Sequence, residues 1–263
     1  MAHLRFTVLA ISIALGLFLA LIGAFELGRR LGRWRRERRG AEGTAGVGKS
    51  DIAVFGLLSL LLGFAFSGAA ERFDNRREMV RQEVNAIRTT WLRVQTLPAE
   101  RQPVIEDGLR RYLDALIAAY RATDGVEEAR RRAEATRVGY ETWSHSVDAA
   151  VVDPAGEKAR MLLLPAMNEM FDAVESEWLA RRMHPPAIIY VLIGVMALIG
   201  AFFLGIGQSE SPTRNWSFIV GVAGAIAIAM YVIIELEYPR LGVVRVDPFD
   251  RALVELRQSM NGS

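Results

Sequence analysis

Eight consecutive residues, Gly43-Thr44-Ala45-Gly46-Val47-Gly48-Lys49-Ser50, match the phosphate-loop pattern G-x-x-x-x-G-K-[ST] at every position. In a nucleotide-binding protein a strand feeds that turn, a helix N-terminus receives the phosphates, and a second acidic strand helps to hold magnesium. Here an arginine-rich stretch precedes the glycines and a long apolar run follows them. The segment therefore reads as a Gly-rich linker with Lys49 at the lipid headgroups. No nucleotide partner is expected, and a membrane-bound nucleotide-dependent enzyme would rest on this match alone. The three histidines, His3, His145 and His184, lack metal-ligand spacing and have no cysteine to join them, so no metal or other cofactor is expected. The carboxylates alternate with arginine, as in Glu127-Glu128-Ala129-Arg130-Arg131-Arg132, which is the pattern of solvated helix faces. Nothing points to catalysis, and the chain is read as not an enzyme.

The chemistry that remains is ion passage. In the apolar run from Ile52 to Ala70, the small residues Gly56, Ser59, Gly63, Ser67 and Ala70 recur every three or four positions. On a helix they share one face and form a smooth strip that lets backbones approach closely. That assigns Ser59, Gly63 and Ala70 to helix packing. Beside the strip, Gly56, Leu60, Phe64 and Ser67 make a neighbouring line, and the same side continues downward as Glu71, Asp74 and Glu78. Apolar rings followed by acidic rings suit a gated cation path when several copies surround an axis. The same acids also read as ordinary headgroup-level charges beneath a membrane helix.

Positioning such a line requires a membrane scaffold, and the composition supplies one. The 263 residues are 51% hydrophobic and 24% charged, with the two classes segregated into blocks. Four runs carry no charge: Phe6 to Phe25, Ile52 to Ala70, Pro185 to Ser209 (densest over Ala187 to Ile206) and Trp216 to Ile234. A helix needs about 20 residues to cross the ~30 Å hydrocarbon layer, and its backbone polar groups must be satisfied internally. Each run is expected to be a transmembrane helix, making lipid the first partner. The first lacks a small-x-small cleavage site and is followed by a basic stop-transfer flank, so it is read as retained rather than as a signal peptide. The apolar content excludes disorder, and the absence of cysteine excludes a disulfide scaffold. A net charge of +2 gives no reason to expect nucleic acid. Of 32 basic residues only Lys49 and Lys158 are lysine, a bias that fits a GC-rich bacterial gene and hence a multi-pass protein of the bacterial inner (plasma) membrane.

The resulting organisation is all-α: a first transmembrane helix within 1–26, a basic Gly-rich loop over 27–51, a candidate pore helix over 52–70, an extramembrane helical bundle over 71–184, the third and fourth spans within 185–234, and a C-terminal tail over 235–263. Residues Glu71 to Thr96 contain no Gly or Pro, so the second helix is expected to run on until Leu97-Pro98. Further helices are expected over about Gln102 to Ala122, Val126 to Val152 and Ala155 to Met183, joined by short breaks and stacked antiparallel on the membrane helices. The seven arginines and Lys49 between Leu27 and Ser50 place that loop in the cytoplasm by the positive-inside rule and the bundle outside. Arg72, Arg76, Arg77, Arg81, Arg181 and Arg182, with Arg240 and Arg245, vote the other way and nearly balance the count.

Leu62-Gly63-Phe64, followed after seven residues by Arg72 and then Asn75, resembles the pore-helix segment of bestrophins. In those channels an LGF stretch lines the narrow neck of a pentameric pore. The resemblance implies a homo-oligomer, a pentamer, that passes inorganic ions, with Gly56, Leu60 and Phe64 at the neck and the bundle in the cytoplasm. Gly56 stands where a bulky neck residue is usual, and the acidic clasp of the true channels is not identifiable. The longer stretch LLGFAFSGAAERFDNRREMVRQEVNAI is similar to the bacterial bestrophin-like domain family of unassigned function. So are Glu237-Tyr238-Pro239-Arg240-Leu241-Gly242 and the following Val246-Asp247-Pro248. The expected function is an oligomeric ion channel with its pore lined by the second helix. The alternative is a non-conducting membrane scaffold or sensor acting through the bundle.

Overall fold

The computed structural model describes residues 2–39, 47–122, 124–152, 157–211, 213–238 and 247–261. They form α1 (Ala2–Arg39), α2 (Val47–Val94), α3 (Gln102–Arg121), α4 (Gly125–Val152), α5 (Glu157–Arg182), α6 (Ala187–Gly207), α7 (Trp216–Glu237) and α8 (Asp247–Ser259), with a 3-10 turn at Gln208–Glu210. No strand occurs among the described residues. The expected all-α class holds, and α1, α2, α6 and α7 are long and apolar enough to cross a membrane. The chain divides into two compact units, Ala2–Phe73 with His184–Val244, and Asp74–Met183 with Arg245–Ser263.

In the membrane unit, Leu21 of α1, Leu58 of α2, Ile193 and Ala197 of α6, and Ala223 and Met230 of α7 form the buried centre. Outward residues such as Leu15, Leu19, Ile188, Val191 and Ile228 are exposed apolar side chains, as lipid contact requires. Lipid tails are as apolar as leucine, so helix association here relies on close van der Waals packing. Gly28 and Gly205 supply it between α1 and α6. A Cβ on Gly28 would lie 2.0 Å from the Phe202 carbonyl oxygen, and one on Gly205 would lie 2.0 Å from that of Phe25.

The basic stretch expected as a loop over 27–51 is instead helical to Arg39 and again from Val47. Arginine is a good helix former. The stretch is also held by docking: a Cβ on Gly32 would meet the Ser209 hydroxyl at 2.6 Å. Arg29 is buried and donates from Nη2 to the carbonyl oxygens of Ser211 at 2.8 Å and Thr213 at 3.2 Å. Arg214 in turn donates to Oε1 of Glu26 at 2.8 Å, so arginines donate in both directions between α1 and the α6–α7 connection, one to backbone carbonyls and one to a carboxylate.

The second unit is built from the far half of α2 with α3, α4, α5 and α8. Ile87, Leu109, Leu113, Leu116, Met167, Met170 and Trp178 are among its fully buried side chains. Full burial of a residue of this kind contributes roughly 1.5–3 kcal/mol in an aqueous setting. Pro165 stands inside α5 and removes one ladder donor. Two contacts from α2 brace α5 on either side of it: Thr90 Oγ1 donates to the Ala166 carbonyl at 3.0 Å, and Arg93 to that of Leu162 at 2.9 Å.

The segment expected as a tail over 235–263 also differs. Residues through Glu237 complete α7, and α8, with Met260 just after it, lays Leu253, Leu256 and Met260 into the bundle core. Arg257 fastens α8 by donating from Nε and Nη2 to the two carboxylate oxygens of Asp114 at 2.8 and 2.9 Å. Pro248 at the start and the three-to-four spacing of those apolar residues are the local causes of this helix.

Candidate pore-lining face of the second helix

Within its unit, α2 touches its neighbours along one side only. Leu58 and Ala69 are fully buried, and Phe55, Leu61, Leu62 and Ala65 are packed against the core. The apolar stretch of α2 is the least covered of the four spans, with 11% of its residues buried against 33% in α7. Gly56, Leu60, Phe64, Ser67, Glu71 and Asp74 all lie exposed, and Glu78 is half-buried. Leu60 is 53% and Phe64 66% exposed, so these two large apolar side chains are left without cover by their own chain.

The residues expected in helix packing lie on the same open side. Ser59 and Gly63 are exposed, and Ala70 is half-buried. A Cβ added at Gly56 or Gly63 would meet nothing within 4 Å. Ser59 satisfies its hydroxyl internally by donating to the Phe55 carbonyl at 2.8 Å. Among the described residues, no helix of the same unit closes on this strip at Gly56 or Gly63. The close approach inside the chain is made instead by Gly28, Gly32 and Gly205, whose sequence signal was the small-x-x-x-small pair Gly28 and Gly32.

Below the apolar line, the charges sort by direction. Arg72 turns to α7 and donates from Nε to Oε1 of Glu237 at 2.7 Å. Arg76 is buried and donates to the carbonyl oxygens of Ala180 at 3.4 Å and Met183 at 3.0 Å at the end of α5. Both arginines are thereby drawn off the acidic line. Arg77 and Arg81 stay beside it, donating to Asp74 at 3.3 Å and to Glu78 at 2.8 Å. Glu71 has no ion pair within 4.0 Å among the described residues. The acid nearest the apolar line is thus the one without a direct ion pair, with Arg72 still within electrostatic reach of it.

The remaining residues singled out in the sequence fall elsewhere. His145 is exposed on α4, and His184 stacks on the Tyr238 ring at 4.5 Å with Nδ1 3.9 Å from Glu237 Oε2. No metal-ligating cluster is present among the described residues. In the Gly43–Ser50 match, residues 43–46 lie outside the described residues, whereas 47–50 open α2. In the tail signature, 239–246 also lie outside them, as does the Asp153-Pro154 break.

Comparison with known proteins adds the family. No curated protein matches the chain. Two crystal structures of a bacterial bestrophin homolog from Klebsiella pneumoniae do, one with an aspartate-to-alanine and one with a tyrosine-to-alanine substitution. The first is 17% identical with a TM-score of 0.67, covering 96% of this chain and 99% of that one. The second is also 17% identical, with a TM-score of 0.59 and coverage of 94% and 99%. At that identity the likeness is one of fold. The sequence model of the family described as Bestrophin-like domain matches residues 17–249. With most of its length matched, the chain belongs to the bestrophin-like family.

Proposed function

We propose that the chain is the subunit of an oligomeric ion channel of the bacterial plasma membrane, with α2 lining the pore. The observation that carries this reading is the uncovered side of α2, where small, hydroxylic and large apolar residues alternate above a line of acids. A purely lipid-facing surface favours continuous bulky apolar residues and gains nothing from Gly56, Ser59, Gly63 and Ser67. A helix face with those residues is better matched to copies of itself around an axis, a pentamer by the family resemblance. Leu60 and Phe64 would then form apolar rings, and Glu71 an acidic ring that attracts inorganic cations. The reading is non-enzymatic.

The test is conduction by the purified protein in planar bilayers, with the oligomer's mass measured in the same preparation. Discrete currents from a defined oligomer support the reading. A stable assembly without current would leave the second reading, a non-conducting scaffold or sensor. That reading is favoured by one specific feature, a ligand-sized cleft in the bundle.

A further inference from the structure

We propose that the bundle carries a binding site for a hydrophobic organic cation, an ammonium or guanidinium on an apolar body, in the cleft between α4 and α5. The site lies outside the α2 face, and its binding can be measured without any current.

The cleft exists because of how the three helices approach. At Gly108 a Cβ would lie 2.4 Å from Thr142 Oγ1, so α3 and α4 are in backbone-close contact. Between α4 and α5 the large side chains Trp143 and Phe171 hold the helices further apart, with ring centroids at 6.3 Å in an edge-on arrangement. The space left has a volume of about 450 Å³, within the range of small-molecule sites. Tyr112, Tyr140, Trp143, Phe171 and Trp178 give it an aromatic wall. Tyr112 meets Phe171 edge-on at 5.7 Å, which fixes the Phe171 ring.

Charge selects the ligand. The polar residues of the rim are Arg132, Thr136, Asn168, Asp172 and Glu175, of which Arg132, Asp172 and Glu175 are charged. Arg132 is committed: it donates to Glu175 at 2.6 Å and lies over the Trp178 ring at 4.9 Å. One end of the cleft therefore already holds a guanidinium between a carboxylate and an indole face, the arrangement a cationic ligand would need. The second carboxylate, Asp172, accepts only a long contact of 3.4 Å from the Asn168 amide and leaves the rim with a net negative charge. A cation at Asp172 would have Trp143 and Phe171 to receive its apolar body. Cation–π contacts of this kind contribute about 0.5–2 kcal/mol each. An anion would meet Asp172 and Glu175 and be repelled.

The full-length protein in lipid nanodiscs is titrated by equilibrium dialysis with benzyltrimethylammonium and with its neutral isostere neopentylbenzene, against empty nanodiscs. The expected result is saturable binding of the cation, not displaced by the isostere, with Asp172→Asn and Trp143→Leu each weakening it by about tenfold. Asp172 is solvent-exposed, so its variant should keep the parent's unfolding transition. No saturable binding of the cation by the parent protein would overturn the proposal. So would displacement by the isostere at equal concentration, which marks an apolar slot only, or full affinity in Asp172→Asn. Tyr140 is 71% exposed, and Tyr140→Cys should label with a soluble thiol reagent in the assembled protein. Complete protection would mean that a neighbouring copy fills the cleft, and would also overturn it.

Discussion

Arg72 and Glu237 are 165 positions apart, yet Nε of the one donates to Oε1 of the other at 2.7 Å, and the Glu237 side chain is fully buried. Each belongs to a segment that the sequence resemblance picks out, the stretch after Leu62-Gly63-Phe64 and the Glu237-Tyr238 signature. Their meeting shows what the two signatures share: they tie α2 to α7. His184 adds a nearby ring nitrogen, 3.9 Å from the other carboxylate oxygen.

Removing the arginine should therefore be costly. Arg72→Met takes the paired guanidinium from a buried carboxylate, a change that typically destabilises by about 3–5 kcal/mol. Arg72 is itself 35% exposed, and solvent should bring the loss toward the lower figure. Glu237→Gln, which removes the charge and leaves a hydrogen-bonding side chain, should lose less, and the pair Arg72→Met with Glu237→Leu should recover most of the loss. Apparent melting temperatures in one detergent would rank the three. Equal losses in Arg72→Met and in the double variant would show that the ion pair is not what holds this contact.

The glycines separate folding from assembly. At Gly205 a Cβ would press on the Phe25 carbonyl, a backbone atom that cannot step aside, so Gly205→Val should prevent α1 and α6 from docking and abolish folded protein. At Gly63 the same atom meets nothing within 4 Å. Gly63→Leu should leave the protomer folded, with normal helicity and melting, and disturb only the oligomer. Leu57→Ile, at an exposed position, is the matched control, since the neighbouring Leu58 is a core residue. An intact oligomer on a native gel from Gly63→Leu would remove this strip from the subunit contact.

Alkaline pH should unfold the bundle through two tyrosines. Burial pushes the Tyr112 hydroxyl above its ordinary value, with Glu83 adding to the effect. Burial also pushes Tyr120 well above its ordinary value, reinforced by Glu83 and Glu177 and opposed by Arg181, and its hydroxyl donates to Glu83 at 2.8 Å. Both stay neutral in the folded state at pH values where the unfolded chain has already ionised. Their stabilising contribution is thus complete below about pH 10 and falls as pH rises above it, by about 1.4 kcal/mol per pH unit for each group. Phenolate absorbance should rise in two stages, with the later tyrosines appearing only as helicity is lost. Tyr120→Phe should shift the unfolding transition to higher pH, and an unchanged transition would mean that another group controls it.

What the sequence made legible follows from where the signal was local. The four spans, the helix limits at Gln102 and Val152, and the end of α5 to within one residue (Met183 expected, Arg182 found) could be read because charge-free runs, prolines and apolar spacing act within one element. The helicity of the basic stretch escaped because arginine's helix propensity is joined by a tertiary cause: Gly28, Arg29 and Gly32 dock on α6 and the connection after it. The same contact alters the charge argument. Arg29 was counted among free basic residues, but it is buried against carbonyl oxygens, so the positive-inside count overstated what that end offers to headgroups. The acidic line was legible as spacing on one helix. Its shielding was not, because Arg72 and Arg76 are drawn away by α7 and by the end of α5.

The final prediction concerns conduction. Leu60 and Phe64 lie about one turn apart, and both are exposed, so replacing them with alanine should not disturb the protomer's core. In a symmetric oligomer each would form an apolar ring that gates by excluding water. Leu60→Ala with Phe64→Ala should widen and wet that constriction and give larger or leakier currents in reconstituted bilayers. The acids should contribute unequally to ion preference. Glu78 and Asp74 are paired with Arg81 and Arg77, whereas Glu71 has no ion pair within 4.0 Å among the described residues. Glu71→Gln should therefore move the reversal potential in a salt gradient away from cation preference more than Glu78→Gln does. The shift should shrink at high salt, because the Debye length falls from about 8 Å at physiological ionic strength to about 3 Å at 1 M. A parent protein and a double alanine variant that are equally silent would end the channel reading. Currents that respond to the alanines but not to Glu71 would keep the gate and remove the acidic ring.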